Sequence, residues 1–315
     1  MENSAPRADV HVIILNWNGI ADTIDCIRSI EEQEDVRLDI TVVDNGSKDN
    51  SVKTIREKFS LVQIIENGTN LGFAGGMNVG IRYALSAGAE RLFLLNNDTL
   101  ADKGMMRGLI DEMKGNVGIV APAIFFENQP GVIWSIGGRI HPLFLELLIP
   151  HGRTTTIPSV PLERDFVTGC AMLIHSSVFK QVGFFDESFS PAYYEDLDFC
   201  LRVRQRKIRI IVTPTSHLLH KVSQASGGET SPFVYYLMAR NGAYYFRKHM
   251  HCWQMPFIFL YRLLSAIKTS FRLIFKKNLD ALVAYWTGLY DGWLRLKKKN
   301  DNQYTSFYRS IEDRS

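Results

Sequence analysis

Runs of uninterrupted apolar residues alternate with stretches whose apolar positions recur every three or four residues. Val10 to Leu15 is one such run, closing on Asn16-Trp17-Asn18-Gly19, after which Ile20, Ile24, Ile27 and Ile30 mark one face of a helix. Leu38 to Val43 gives a second strand ending in the turn-forming Asp44-Asn45-Gly46-Ser47-Lys48-Asp49, followed by a short helix carrying Val52, Ile55 and Phe59. Val62 to Ile65 predicts a third strand, Asn67 to Gly76 a glycine-rich loop, Met77 to Ala87 a helix, and Arg91 to Leu95 a fourth strand closing on Asn96-Asn97-Asp98. Met105 to Met113 and Val117 to Ala121 repeat helix and strand once more. Apolar strands separated by amphipathic helices predict an α/β fold: a parallel, Rossmann-like sheet covered on both faces, with ligands at the carboxyl ends of its strands. The polar clusters all fall at those ends.

After Pro122 the rhythm breaks at Gly131, Gly137, Gly138, Pro142 and Pro150, and a polar loop runs from His151 to Pro161. Phe166 to Ile174 then predicts a strand, Ser176 to Val182 a short helix, and Phe184-Phe185-Asp186 a turn. Leu197, Cys200, Leu201 and Arg204 recur at helical spacing from Asp196, and Ile208 to Val212 makes a last strand. These pieces are expected to complete the same sheet as a mixed second half, so that residues 1–250 form one globular unit and 251–315 a helical, basic and aromatic tail. Within that tail Phe257, Leu260, Leu264, Ile267, Phe271 and Ile274 are interleaved with Arg262, Lys268, Arg272, Lys276 and Lys277. Charges recur too often for a spanning helix, which needs about 20 mostly apolar residues. Two covers remain for its apolar face: a membrane surface met by an in-plane amphipathic helix, or a helical pair packed on the main domain or on a second subunit of a homodimer.

Composition narrows the class further. The 315 residues are 46% hydrophobic and 22% charged, as in ordinary globular proteins, and the formal charge of +3 gives no case for nucleic acid. Basic residues concentrate late, at Lys276-Lys277 and Lys297-Lys298-Lys299. Cys26, Cys170, Cys200 and Cys252 are too scattered for a zinc site and read as reduced, mostly buried thiols. The polar start from Met1 to Asp9 lacks the features of a secretory signal, so catalysis is expected in the cytoplasm.

Four places carry candidate chemistry. Asp44 opens a turn after a buried strand, where a carboxylate either bonds its own backbone or reaches a ligand. Asn70-Leu71-Gly72-Phe73-Ala74-Gly75-Gly76-Met77-Asn78 should lie beside it, with small residues that admit a ligand and helix-start amides that favour an anion. Its spacing is not that of a dinucleotide-binding dehydrogenase. Asn96 and Asp98, alternate residues of an extended segment, offer hard oxygen donors suited to Mg2+ or Mn2+; the competing reading is that Asp98 or Thr99 caps a helix starting near Ala101. His220, beyond the last strand, could add a third ligand. Glu195 and Asp196 occupy the first turn of a helix, where a carboxylate stays ionised as a general base needs, or else Asp196 caps that helix while Asp198 pairs with Arg202. Residue chemistry alone leaves the base open between Glu195 and Asp196.

Taken in order, Ile14-Leu15-Asn16-Trp17-Asn18, Val42-Val43-Asp44-Asn45-Gly46-Ser47, the stretch from Asn70 to Asn78, Leu95-Asn96-Asn97-Asp98-Thr99, Gly169-Cys170-Ala171-Met172-Leu173, Gly183-Phe184-Phe185-Asp186-Glu187 and Glu195-Asp196-Leu197-Asp198 resemble the family 2 inverting glycosyltransferases of GT-A fold, in particular their rhamnosyltransferase-like branch. The resemblance spans roughly Val10 to His249. It implies that Asp44 contacts the nucleotide base, that Asn96-x-Asp98 is the metal motif with His220 as a further ligand, and that the acidic pair supplies the base, usually at Asp196. It also puts Asn16, Asn45, Gly72, Phe73, Asn78, Asn97 and Arg240 along the donor site. Asn96 stands where the usual motif has its first aspartate. The implied donor is a dTDP- or UDP-linked hexose such as rhamnose, and the implied acceptor a hydroxyl of a glycan or polyprenyl-linked glycan, in cell-surface polysaccharide synthesis. The alternative is a sugar-nucleotide-binding or scaffold protein that keeps the fold without turnover. The transferase reading requires that the segments around positions 44, 98 and 196 converge on one cleft.

Overall fold

The computed structural model describes residues 8–148, 159–222 and 231–294. Most of the amino-terminal stretch from Met1, Pro150, the loop from His151 as far as Pro158, Ser223, Ser226, Gly227, Gly228 and Lys297 to Lys299 lie outside them. The first half follows the expected alternation: β1 (Val10–Asn16), α1 (Ile20–Glu31), β2 (Leu38–Asp44), α2 (Ser51–Lys58), β3 (Gln63–Glu66), α3 (Gly72–Ser86) and β4 (Arg91–Asn96). Next come β5 (Thr99–Ala101), α4 (Met105–Glu112), β6 (Val117–Phe126) and the short strands β7 (Ile133–Ser135), β8 (Arg139–Ile140), β9 (Leu147–Leu148) and β10 (Leu162–Arg164). β11 (Ala171–His175), α5 (Ser176–Val182), α6 (Glu195–Gln205) and β12 (Arg209–His220) complete the sheet, and α7 (Pro232–His249), α8 (Met255–Phe275) and α9 (Leu279–Leu294) follow.

The main sheet has the order β10-β12-β6-β11-β4-β1-β2-β3, with β5 paired to β12 and β7 to β6. β1 runs parallel to β2 and β4, with Asn16 level with Asp44 and Leu15 level with Asn96, so three strands end together. β11 enters antiparallel between β4 and β6, which makes the sheet mixed and puts the start of β11 at the carboxyl end of β4. Successive side chains point to opposite faces: Ile13, Leu92 and Leu94 join the core under α3, while Val12, Ile14, Phe93 and Leu95 join the one under α1 and α2.

Three local expectations are corrected. The glycine-rich stretch is not a loop throughout, because α3 already begins at Gly72. Gly76 and Gly80 lie so close to Leu15, Ile13 and Val43 that any side chain there would collide, and this approach of helix to sheet outweighs the poor helix propensity of glycine. Residues 99–101 form a strand, and α4 begins after Gly104 with no side-chain cap, so neither Asp98 nor Thr99 caps a helix. β12 does not stop at Val212 but continues past Pro214 through a register shift between Thr213 and His217 to reach His220.

The tail is packed on the main domain through one helix and leaves the outer face of the other open. α9 packs along α7, where Gly288 and Gly292 leave no room for a side chain against the carbonyls of Tyr236 and Arg240. α8 buries only Ile258, Ala266 and Leu273, anchored by Gln254 Nε2 donating to the Pro142 carbonyl at 2.7 Å and by Arg262 lying 4.9 Å over the Phe246 ring. Its outer face is left open: Leu260, Leu263, Leu264, Phe271, Ile274 and Phe275 are each more than half exposed. Among the described residues no helix is long and apolar enough to cross a membrane.

Candidate active site

Where β1 and β2 end side by side, Asn16 Nδ2 donates to Asp44 Oδ1 at 2.8 Å and to Ser47 Oγ at 3.1 Å. The second oxygen of Asp44 accepts the backbone amides of Gly46 at 3.2 Å and Ser47 at 3.0 Å, so the turn-forming role is real. It does not exclude a ligand. Asp44 also lines a cleft of about 670 Å³ together with Ser47, Lys48, Asp49, Lys53 and Arg56. The three cations went unnoticed at the sequence level, although Lys53 and Arg56 stand at i,i+3 on α2, a spacing that puts them on one face. A smaller hollow of about 360 Å³, lined by Arg28, Glu31 and Lys58 where α1 and α2 end, holds none of the candidate acids.

Several residues assigned to the donor site hold the loops that frame it. Asn45 Nδ2 donates to Asn70 Oδ1 at 3.0 Å and to the Gly72 carbonyl at 3.1 Å, while its Oδ1 accepts from Asn67 Nδ2 at 3.0 Å and the Leu71 amide at 3.1 Å. Buried Asn78 is likewise committed, donating to the Phe185 carbonyl and to Glu187 Oε1, both at 3.0 Å, and accepting the Phe185 amide at 3.1 Å. Asn97 Nδ2 donates to Thr23 Oγ1 at 2.9 Å and ties the end of β4 to α1. Gly72, at φ +73°, leaves room for Ser190 and Pro191: a side chain there would come within 2.7 Å of Ser190 Oγ. Phe73 donates its amide to the Pro191 carbonyl at 2.7 Å, and its ring faces that of Phe185 at 6.0 Å. Arg240 on α7 donates to the Ser190 carbonyl and to Asn241 Oδ1.

The extended course of β12 brings His220 level with Thr99, and Asp98 Oδ1 lies 3.2 Å from His220 Nε2. Both side chains are at least nine-tenths buried, and His220 Nδ1 has no hydrogen-bond partner. Lys221 donates its amide to the Asp98 carbonyl at 2.9 Å while its ammonium pairs with Asp22 and Asp25 on α1. Strand geometry ends at Asn96, so alternation does not carry on to Asp98; Asn96 is fixed through its backbone, its amide donating to the Cys170 carbonyl at 2.9 Å. Among the described residues no three His, Cys, Asp or Glu side chains gather tightly enough to cage an ion. One carboxylate and one imidazole still suit a divalent cation whose other positions are filled by water or phosphate.

Glu195 and Asp196 begin α6 as expected, and Asp198 pairs with Arg202 at 2.8 Å. Asp198 is fully buried and also meets His249 at 2.8 Å, which makes it structural. Asp196 is only partly buried, and its Oδ2 accepts the Gly169 amide at 3.0 Å and its Oδ1 the Leu197 amide at 2.8 Å, with a further bond from the Thr168 side chain. Glu195 is 6% exposed, and its Oε2 has no partner. Burial, and after it the neighbouring Asp196 charge, pushes the Glu195 carboxyl well above the usual range. Burial also raises Asp196, but the amides of Gly169 and Leu197 oppose it. The stronger upward push falls on Glu195, so within the pair Asp196, the more accessible member, favours the charged form.

Bonded contacts link the three segments at the carboxyl ends of the strands, although the 670 Å³ cleft is lined by Asp44 and by neither Asp98 nor Asp196. Asp44 is joined through Asn16 to Asn97, whose Nδ2 lies 3.4 Å from Asn16 Oδ1. Asn96 is joined through Cys170 and Gly169 to Asp196. The Cys170 thiol, raised chiefly by burial, also feels the charges of Asp98 and Asp196. One rim at the carboxyl ends of β1, β2 and β4 and the start of β11 carries all three acids.

The mixed sheet with helices on both faces has the GT-A fold. The chain belongs to glycosyl transferase family 2, whose model matches residues 11–183. It is 29% identical over 242 residues to the low-salt glycan biosynthesis hexosyltransferase Agl10 of Haloferax volcanii, covering 74% of each chain. It is 23% identical over 244 residues to the N-acetylglucosaminyl-diphospho-decaprenol L-rhamnosyltransferase of Mycobacterium tuberculosis, covering 70% of this chain and 78% of the relative. Its fold matches the mannosyltransferase PcManGT of Pyrobaculum calidifontis, solved with GDP-Man and Mn2+, at a TM-score of 0.56 and 14% identity, over 98% of this chain and 80% of that one.

Proposed function

We propose that the protein transfers a hexose or deoxyhexose such as rhamnose from a nucleoside diphosphate to a hydroxyl of a lipid-linked glycan, with inversion at the anomeric carbon and Asp196 as general base. The observation that carries this reading is the unequal acidic couple, in which Glu195 is buried with an unpartnered Oε2 while the more accessible Asp196 accepts the amides of Gly169 and Leu197. Asp196 takes the proton of the acceptor hydroxyl, the freed oxygen attacks the anomeric carbon, and the bond to the diphosphate breaks with its electron pair leaving on the phosphate oxygen. In-line attack from the opposite face inverts the configuration. Asp98 and His220 would hold a Mg2+ or Mn2+ ion, which supplies charge neutralisation at the diphosphate. Asp44 and the cations of the 670 Å³ cleft bind the nucleotide end of the donor. Assay against a panel of nucleotide sugars, with product configuration read by NMR, tests the chemistry; retention of configuration would refute it.

The lipid-linked acceptor is supported by the name of the mycobacterial relative and by α8. That helix carries no acidic residue, and its outward residues Leu260, Leu264, Ile267, Phe271 and Ile274 are flanked by Lys268, Arg272, Lys276 and Lys277. Two copies meeting through this face would oppose like charges, whereas an anionic bilayer complements it. The protein on this reading works peripherally at the cytoplasmic face of a membrane. Leu264→Glu with Phe271→Glu should abolish flotation with anionic vesicles while leaving turnover on a water-soluble acceptor intact; undiminished flotation would remove the membrane from the account.

A further inference from the structure

The catalytic pair is preceded by a loop whose backbone is unfavourable by itself. Tyr193 and Tyr194 both sit in the left-handed region, at φ 76° and 75°, a conformation that is unfavourable for a residue with a side chain and persists only where surroundings enforce it. Tyr194 is the residue before α6, and its carbonyl accepts the Asp198 amide at 2.9 Å, the first bond of the helix that carries Glu195 and Asp196. Whatever fixes Tyr193 and Tyr194 therefore fixes the direction in which the pair points.

That restraint comes from α7. The amide nitrogen of Asn241 lies 2.8 Å from the carbonyls of Phe189 and Ala192 and 2.9 Å from that of Tyr193. Arg240 Nε donates to Asn241 Oδ1 at 2.8 Å, which sets the amide orientation, and the same guanidinium reaches the Ser190 carbonyl. One position later Gly242 leaves room for the Tyr194 ring: a side chain there would lie 2.9 Å from its hydroxyl and 3.2 Å from Cζ. The opposite side of the loop rests on the donor-side turn, where Phe73 donates to the Pro191 carbonyl. The loop is thus gripped between the donor turn and α7.

We infer that Asn241 is a positioning residue for the transfer step: it clamps the loop from Phe189 to Tyr194 and so aims Asp196 at the acceptor hydroxyl. The inference rests on the reading of Asp196 as base. A small misplacement of a reacting group costs on the order of 10²-fold in rate, so Asn241→Ala should lower kcat about that much per donor-binding site. Donor affinity should hold, because the Asp44 wall is fixed by its own bonds. Counting active protein by calorimetric donor titration separates this from partial unfolding, which lowers the number of sites and not kcat per site. Gly242→Ala keeps every bond of Asn241 and crowds Tyr194 instead; it should show a smaller loss of the same kind and decides the matter should Asn241→Ala not fold. An unchanged kcat per site in either folded variant overturns the clamp. Asp196→Asn, run alongside, keeps the two claims apart: if it loses transfer while the clamp variants do not, the transferase reading stands and the clamp falls. Wild-type transfer by Asp196→Asn would instead bring down the base assignment, and this inference with it.

Discussion

Glu195→Gln preserves the shape of the side chain and removes its ability to ionise. In the native protein Glu195 is 6% exposed, and burial followed by the Asp196 charge raises its carboxyl well above the ordinary range. The sign follows from linkage: with a raised folded pKa the native state holds the proton more tightly than the unfolded chain. Its contribution to stability is complete below the unfolded pKa of about 4.3 and is lost as pH rises through the folded pKa. Across that window one proton changes stability by up to about 1.4 kcal/mol per pH unit. The amide of the variant lacks this dependence. The stability difference between variant and parent, from urea unfolding between about pH 4 and pH 8, should move toward the variant as pH rises. Turnover should fall by less than about tenfold, well short of the 10²–10⁴-fold that loss of a general base typically costs. A difference that is flat with pH would mean that folding leaves the Glu195 carboxyl unshifted, and one that moves toward the parent that its ionised form is stabilised; under either result the division of roles within the couple would be wrong.

Asp98→Ala and His220→Ala should each weaken donor binding in the presence of Mn2+ and leave metal-free binding unchanged; calorimetry with and without EDTA reads both, and Mn2+-independent affinity in the parent would end the metal assignment. Gly292→Ala drives a methyl group into the Arg240 carbonyl and to within 2.7 Å of Ala243 Cβ. Overpacking of this kind costs about 1–3 kcal/mol, so thermal unfolding should shift down accordingly, and an unchanged midpoint would show that α9 is free of α7.

The first half of the fold was legible because its strands are buried on both faces and its helices show one apolar face, so period alone separates them. Gly72 to Gly76 misled because glycine normally argues against a helix; contact with Leu15 and Ile13, which no local pattern reveals, is what selects glycine at Gly76 and Gly80. The length of β12 was hidden by Pro214, a strand breaker that the register shift accommodates, and with it went the reason His220 meets Asp98. α7 went unread although Ser231, which caps it by accepting the Val234 amide at 3.3 Å, Pro232 at its first position and Arg247-Lys248 in its last turn are ordinary helix signals. At the site, Asp44, Asp98, Glu195 and Asp196 were readable from sequence as acids at strand and helix ends. The commitment of Asn45, Asn78 and Asn97 to holding loops was not, because the same residue types serve ligands and turns alike.

Single-turnover transfer by Asp196→Asn, with donor binding measured on the same preparation, tests the central claim most directly. The account predicts donor affinity close to that of the parent and transfer slower by about 10²–10⁴-fold. Transfer at the parental rate with donor fully bound would contradict it.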